Sequence, residues 1–281
     1  MTPGAGERAT ELLREAFPPR REDARKGDYG RVVVAGGSER YTGVLVLNAL
    51  AALRAGADLA IVVAPRRAAD VVANASPDLI AIPCEDDYPD PAVVARELAH
   101  ADALLVGGGA SRAEDSMRAF AKIVDDCAKP LVVDAGALHA IASHPDLLRG
   151  KRAILTPNPG EYEALTGSPW PAEPDARVQA ATRLARARSC TVIVKGRWDV
   201  ISDGERASID DAGSPYLTKG GHGDVLAGAC AALLARGLPP YEAACAAATL
   251  VGRAGVLAAS VHHEGTLATD VLAFIDRVHP R

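Results

Sequence analysis

"RVVVAGGSERYTGVLVLNALAALRAGADLAIVVAP", residues 31–65, reads as a strand, a helix and a second strand. The β-branched run 31–37 ends in a glycine turn. Residues 43–57 then carry apolar positions at helical spacing and stop at a glycine. Residues 58–65 are again a short apolar run. The same alternation continues outward. Strands are predicted at 79–83, 101–109, 129–136 and 152–160, with helices at 91–100, 112–127 and 174–188. Nearly continuous apolar strands separated by helices imply a parallel sheet covered on both faces. The pattern changes in 190–210, where two or three strands follow closely around Asp203-Gly204 and predict an antiparallel edge. Helices at 223–236, 240–260 and 269–277 close the chain. The expected fold is α/β, one domain over residues 1–281, with residues 1–26 as a charged leader.

With 281 residues, 48% apolar and 24% charged, the chain can bury a sizeable core. Its net charge of −5 and the lack of a Lys/Arg run argue against nucleic acid as a partner. Five scattered cysteines without C-x-x-C spacing argue against a zinc site or a disulfide framework, and suit a reducing cytoplasm. No signal-like start is visible, and no apolar run reaches membrane-spanning length. No membrane role is expected, and the runs near 225–236 and 243–261 read as buried helices.

In sheets of this kind ligands sit beyond the carboxyl ends of the strands. Gly36 and Gly37, Gly107 to Gly109, Asp134, Asn158 to Glu161, and Lys195-Gly196 all fall there. Neither G-x-x-x-x-G-K-[ST] nor a G-x-G-x-x-G after the first strand occurs, so two common phosphate-binding motifs are excluded. The remaining candidate is "LTKGGHGDVLAG", residues 217–228. Glycines there would leave backbone N–H groups open at a helix start, where an anion is attracted. Asp224 beside them could take a proton, or could simply cap the helix. Asp134 ends a buried strand, where an acid needs a partner, a metal or a ligand. The pair His262-His263 points apart on a helix and does not suggest a metal.

Residues 26–63, "VVDAGAL" (132–138), "LTPNPGEYEALTG" (155–167), "VIVKGRWDVISDG" (192–204) and "GGHGDVLAG" (220–228) occur in this order. Together they resemble the ADP/ATP-dependent NAD(P)H-hydrate dehydratases, repair enzymes of the ribokinase-like fold, over nearly the whole chain. The resemblance implies a three-layer α/β/α sandwich and a stand-alone dehydratase domain without the epimerase domain that many members carry. It implies hydrated NADH or NADPH as substrate and ADP or ATP as phosphoryl donor with Mg²⁺. It also implies a homo-oligomer, often a tetramer, and a separate epimerase as partner.

Carried onto this chain, the resemblance makes Asp224 the base, with the amides of Gly221, His222 and Gly223 as an anion hole. Tyr41, Val44, Gly107, Gly109, Asn158 and Asp224 would meet the substrate. Lys195, Gly196, Arg197, Trp198, Asp199 and Gly223 would meet the nucleotide. Glu161, through the likeness of Asn158-x-x-Glu161 to the Mg²⁺-holding pair of ribokinase-type sugar kinases, and Asp134, at its buried strand end, are the expected Mg²⁺ ligands. Three positions depart from the family pattern: Asn158 stands where His is usual, Gly136 where a second acid is usual, and His222 where a small residue is usual. Asn-x-x-Glu also resembles ribokinase-type sugar kinases, and it opens a helix equally well. The alternatives are therefore a small-molecule kinase of the same fold, acting on a hydroxymethylpyrimidine, thiazole alcohol or sugar, and a nucleotide-binding regulatory protein.

Overall fold

The structure is a computed structural model that describes residues 5–280. Its elements run α1 (Ala5–Ala16), β1 (Arg31–Ala35), α2 (Val44–Arg54), β2 (Leu59–Pro65), α3 (Arg66–Ala75), β3 (Ile80–Cys84), α4 (Pro91–Leu98) and β4 (Ala103–Val106). Next come α5 (Glu114–Asp126), β5 (Leu131–Val133), α6 (Gly136–Ala140), β6 (Ala153–Leu155), α7 (Pro159–Thr166), α8 (Pro174–Arg188) and β7 (Thr191–Val194). The hairpin β8 (Asp199–Ser202) and β9 (Ala207–Asp210) precedes α9 (His222–Ala235), α10 (Pro240–His262) and α11 (Ala268–Val278).

The nine strands form one sheet in the order β3-β2-β1-β4-β5-β6-β7-β8-β9. Pairing is parallel from β3 through β7 and antiparallel at β7–β8 and β8–β9. The edge expected around Asp203-Gly204 is thus present. Side chains alternate across the pleat, and the two faces build two cores. Val32, Val34, Leu105, Val132 and Ile154 pack under α1, α2, α3, α9, α10 and α11. Val33, Leu104, Val106, Val133 and Leu155 pack under α4 to α8.

α9 is apolar all round, and eleven of its residues are buried, as a helix enclosed by neighbours must be. It lies against α2 so closely that a side chain at Gly228 would collide with the Asn48 carbonyl. α10 is long and apolar enough to cross a membrane, contrary to the reading from sequence. Its apolar window is 72% buried inside the molecule, so it is a core helix.

Residues 1–26, expected as a charged leader, hold α1, whose Leu12, Leu13 and Ala16 are buried in the first core. Residues 1–4 lie outside the described residues. The stretch 18–26 is largely exposed, as its charges suggest. α3 and α6 also lack a counterpart in the sequence reading. Both are short, and α3 follows β2 with no intervening loop.

The chain returns from β3 to place β4 beside β1, so the strand order reverses between those two strands. A crevice opens at such a point beyond the carboxyl ends. Gly37 and Gly108 face each other there, with Gly37 N donating to Gly108 O at 2.8 Å.

Candidate active site

β5, β6 and β7 are neighbours in the sheet, and a residue just past each one turns to the same place. Asp134 follows β5, Thr156 follows β6 and Lys195 follows β7. Asp134 is 2% exposed. Its Oδ1 accepts from Thr156 Oγ1 at 2.7 Å and from Lys195 Nζ at 2.8 Å. The ammonium also lies 3.9 Å from Glu161 Oε2. Burial opposes the charge on Lys195, but the Asp134 and Glu161 carboxylates outweigh it and hold the ammonium above its ordinary range.

The sequence pairs Asp134 with Glu161 as Mg²⁺ ligands. The structure puts a lysine cation between them instead. Asp134 already has two donors on Oδ1 and is paired with the Lys195 cation, which leaves only its Oδ2 for a metal. Glu161 fits better, because its Oε1 has no hydrogen-bond partner among the described residues. Mg²⁺ commonly needs only one or two carboxylates, with phosphates and waters completing the shell. No group of three or more His, Cys, Asp or Glu that could cage a metal exists among the described residues.

Asn158 and Glu161 form a reciprocal cap on α7. Asn158 Oδ1 accepts from Glu161 N at 2.9 Å, and Glu161 Oε2 accepts from Asn158 N at 2.8 Å. The helix-opening reading of this segment is therefore realised, as two otherwise orphaned donors are satisfied. The Asn158 oxygen is occupied by backbone, which leaves its NH₂ group for a ligand.

α9 begins directly above this cluster. Its N-cap Gly221 has φ 95°, and no side chain caps the helix. A Cβ at Gly221 would lie 2.8 Å from both Ala268 Cβ and Leu47 Cδ1, so this position needs glycine for conformation and for space. The N–H groups of His222 and Gly223 have no helical partner. Gly223 faces Lys195, whose Nζ would stand 3.2 Å from a Cβ there. The sequence leaves open whether the His222 ring enters the anion hole or turns away. Its Nδ1 lies 3.0 Å from the Lys219 carbonyl oxygen, so Nδ1 carries the proton and ties the preceding loop.

Asp224 sits in the first turn of α9. Burial and the Asp134 charge push its carboxyl up to about 7, against the pull of Lys195. Burial likewise raises Glu161. Three acids thus share one ammonium, and Asp224 is poised to exchange a proton near neutrality.

A cavity of about 260 Å³ runs from Lys195 between the β7–β8 connection and α10. Lys195, Gly196, Arg197, Asp199 and Gly223 line it, whereas Trp198 does not. Trp198 is 38% exposed, with the Arg197 guanidinium 5.9 Å from its ring centroid. Leu226, Ala248 and Val251 give the far wall an apolar surface suited to a flat base. Burial raises the Asp199 carboxyl to about 6, although the Gly196 amide donates to it at 3.0 Å. A larger open hollow of about 730 Å³ lies over α3, around Arg66, Arg67 and Asp70. It shares no residue with the acid cluster, so chemistry rather than size locates the site.

On the other side stands the glycine turn after β4. A Cβ on Gly109 would meet Val44 Cγ1 at 2.6 Å and Tyr41 O at 2.9 Å, so these three candidates are neighbours. Gly107 packs against the Asp134 carbonyl. Gly136 packs against Ala110 with no room for the second acid of the family pattern. Tyr41 is 51% exposed and free to cover a ligand. Two site residues were missed from sequence. Thr156 could have been noticed as a hydroxyl at a strand end, and Asn48 as the one amide in an apolar helix. Asn48 Nδ2 donates to the Asp224 carbonyl at 2.9 Å.

Known proteins show the same arrangement of sequence and fold. A family model described as NAD(P)H-hydrate dehydratase matches residues 32–277. The ADP-dependent (S)-NAD(P)H-hydrate dehydratase of Cenarchaeum symbiosum is 37% identical over 272 residues, covering 95% of this chain and 94% of that protein. The bifunctional NAD(P)H-hydrate repair enzyme of Pyrobaculum aerophilum is 40% identical over 92% of this chain, which spans only 52% of that longer protein. The crystal structure of the Bacillus subtilis ADP/ATP-dependent NAD(P)H-hydrate dehydratase, co-crystallized with ATP/Mg²⁺, superposes with a TM-score of 0.81. It is 25% identical and covers 96% of this chain and 95% of its own.

Proposed function

The chain belongs to the NAD(P)H-hydrate dehydratase family, and on that premise we propose that Asp224, Lys195 and the open amides of α9 return (S)-NAD(P)H hydrate to NAD(P)H at the expense of a nucleotide. Hydroxide is a poor leaving group and phosphate a good one. Asp224 takes the proton of the ring hydroxyl, and the freed oxygen attacks the terminal phosphorus of the nucleotide. The bridging P–O bond breaks, and its electron pair leaves with the shortened nucleotide. The ring nitrogen's lone pair then expels phosphate from the phosphorylated carbon. A proton lost from the neighbouring ring carbon restores the double bond.

The observation that carries this reading is the carboxyl of Asp224 raised to about 7 beside open helix-start amides and the Lys195 ammonium. These groups face the place where phosphoryl charge develops, and such fixed donors are typically worth about 10²–10³ in turnover. Glu161 would hold Mg²⁺ through its free oxygen and through water. The ion would neutralise the nucleotide phosphates. The cavity beyond Lys195 would take the adenosine, with Asp199 near its ribose, and the Tyr41–Gly109 side would take the hydrated nicotinamide. ADP is the proposed donor, in keeping with the name of the Cenarchaeum relative.

A reducing, cytoplasmic setting is supported by five cysteines that are all buried and free. Self-association is supported by the exposed Val256, Val261 and Leu267 around the end of α10.

The test incubates the protein with chemically hydrated NADH or NADPH, Mg²⁺, and ADP or ATP in parallel. Return of absorbance at the reduced-nicotinamide band, faster with ADP, is expected. Folded protein that restores no absorbance with either nucleotide would overturn the reading. Accumulation of a stable phosphorylated product would show a kinase instead.

A further inference from the structure

We propose that Thr156 is a positioning residue: its hydroxyl fixes the Asp134 carboxylate so that the shared oxygen holds Lys195 against the start of α9. The inference rests on the dehydratase reading for its activity readout, but the geometry behind it is independent. Lysine carries its charge on a flexible four-carbon stem and needs an anchor to point reproducibly. The anchor here is Asp134 Oδ1, at 2.8 Å from Nζ. An aspartate carboxylate is itself loosely defined about its terminal torsion. One hydrogen bond to a mobile lysine would leave both groups free to turn together.

Thr156 removes that freedom. Its Oγ1 donates to the same Oδ1 at 2.7 Å, and the residue is fully buried. Threonine is branched at Cβ and stiff about χ1, so the hydroxyl has a fixed direction. The three residues follow three adjacent parallel strands, a firmer support than a free loop. The far end of the chain of contacts is Gly223, where Nζ would be 3.2 Å from an added Cβ. Released from this anchor, the ammonium can swing toward Glu161, already 3.9 Å away, or toward Asp224. A lysine paired with Asp224 would occupy the base and leave the phosphoryl position without its cation.

The experiment compares Thr156→Val, nearly the same shape without the hydroxyl, with Thr156→Ser, which keeps the hydroxyl. Thr156→Ala is run beside them, so a folding failure of the Val variant leaves another hydroxyl-free protein to decide. A hydrogen bond to a charged group predicts a fall in kcat of about 10- to 100-fold for Val and Ala, with substrate KM within about threefold and Ser close to the parent. The second readout needs no hydrated substrate. Calorimetric affinities for ADP and AMP should differ in the parent protein because Lys195 meets the terminal phosphate. In the Val and Ala variants that difference should shrink about tenfold while AMP affinity holds. Equal losses in Ser and Val, or an unchanged kcat and ADP-to-AMP ratio in both Val and Ala, would overturn the proposal. A parent without dehydratase activity whose ADP-to-AMP ratio still responds to Thr156 would refute the reaction and keep the positioning role.

Discussion

Asn48 on α2 donates its side-chain amide to the backbone carbonyl of Asp224 at 2.9 Å, which ties the helix behind the glycine turn to the start of α9. The other amide atom, Oδ1, is buried without a hydrogen-bond partner. Orphaned acceptors of this kind cost stability, on the order of 1–3 kcal/mol. Asn48 thus combines a stability cost with a direct tie to the first turn of α9.

Asn48→Leu, close in size, removes the orphan together with the bond. The two effects oppose each other, so thermal stability should change by less than about 1 kcal/mol. Turnover should fall about 5- to 10-fold as the first turn of α9 loosens. Melting curves run beside steady-state kinetics check both; a variant with full turnover would show that α9 needs no such tie.

The pH dependence follows from Asp224. Its carboxyl loses the proton at about 7, and only the carboxylate can accept one from the substrate. kcat/KM should rise with pH and level off above about 7. A profile flat from pH 5 to 8 would mean that another group, or none, is the base.

Asp224→Asn should abolish turnover by about 10³-fold or more and yet stabilise the fold. The native carboxyl is raised above its unfolded value of 3.8, so the native state binds the extra proton between the two values. Stability therefore falls as pH climbs through that window, and the loss is complete above about 7. Removing the charge should restore on the order of 1–3 kcal/mol at pH 8 and little at pH 4. Denaturant midpoints at the two pH values measure it.

Gly221→Ala and Gly223→Ala separate conformation from chemistry. At Gly221 an L side chain meets φ 95° and two neighbours at 2.8 Å, so a loss of about 1–3 kcal/mol in stability is expected. At Gly223 the nearest atom is the flexible end of Lys195, which can move aside. That variant should fold normally and lose turnover about 10-fold or more, with urea melts and kinetics on both proteins giving the contrast.

Much of the candidate site was legible because strand ends announce themselves. Asp134, Lys195 and Asp224 each stand out as a charge at the close of an apolar run or the opening of one. What those charges do to each other was not legible. Asp134 reads as a metal ligand from sequence, and nothing local shows that Lys195, 61 residues later, also pairs with its Oδ1. Trp198 is expected with Lys195, Gly196, Arg197 and Asp199 as a nucleotide contact, yet it stands outside the cavity that those four line.

The sequence by itself determined the alternation of strands and helices, the parallel sheet with its antiparallel edge at Asp203-Gly204, and the glycine-rich start of α9. Periodicity, turn chemistry and helix termination are properties of neighbours along the chain, so a local pattern suffices. Only the tertiary structure decided that α1 packs into the core, that Lys195 belongs to Asp134, and that Asn48 reaches Asp224 across 176 residues. Those pairings depend on strand order and on which helix covers which face, and the energy of a buried charge is set by what surrounds it in space.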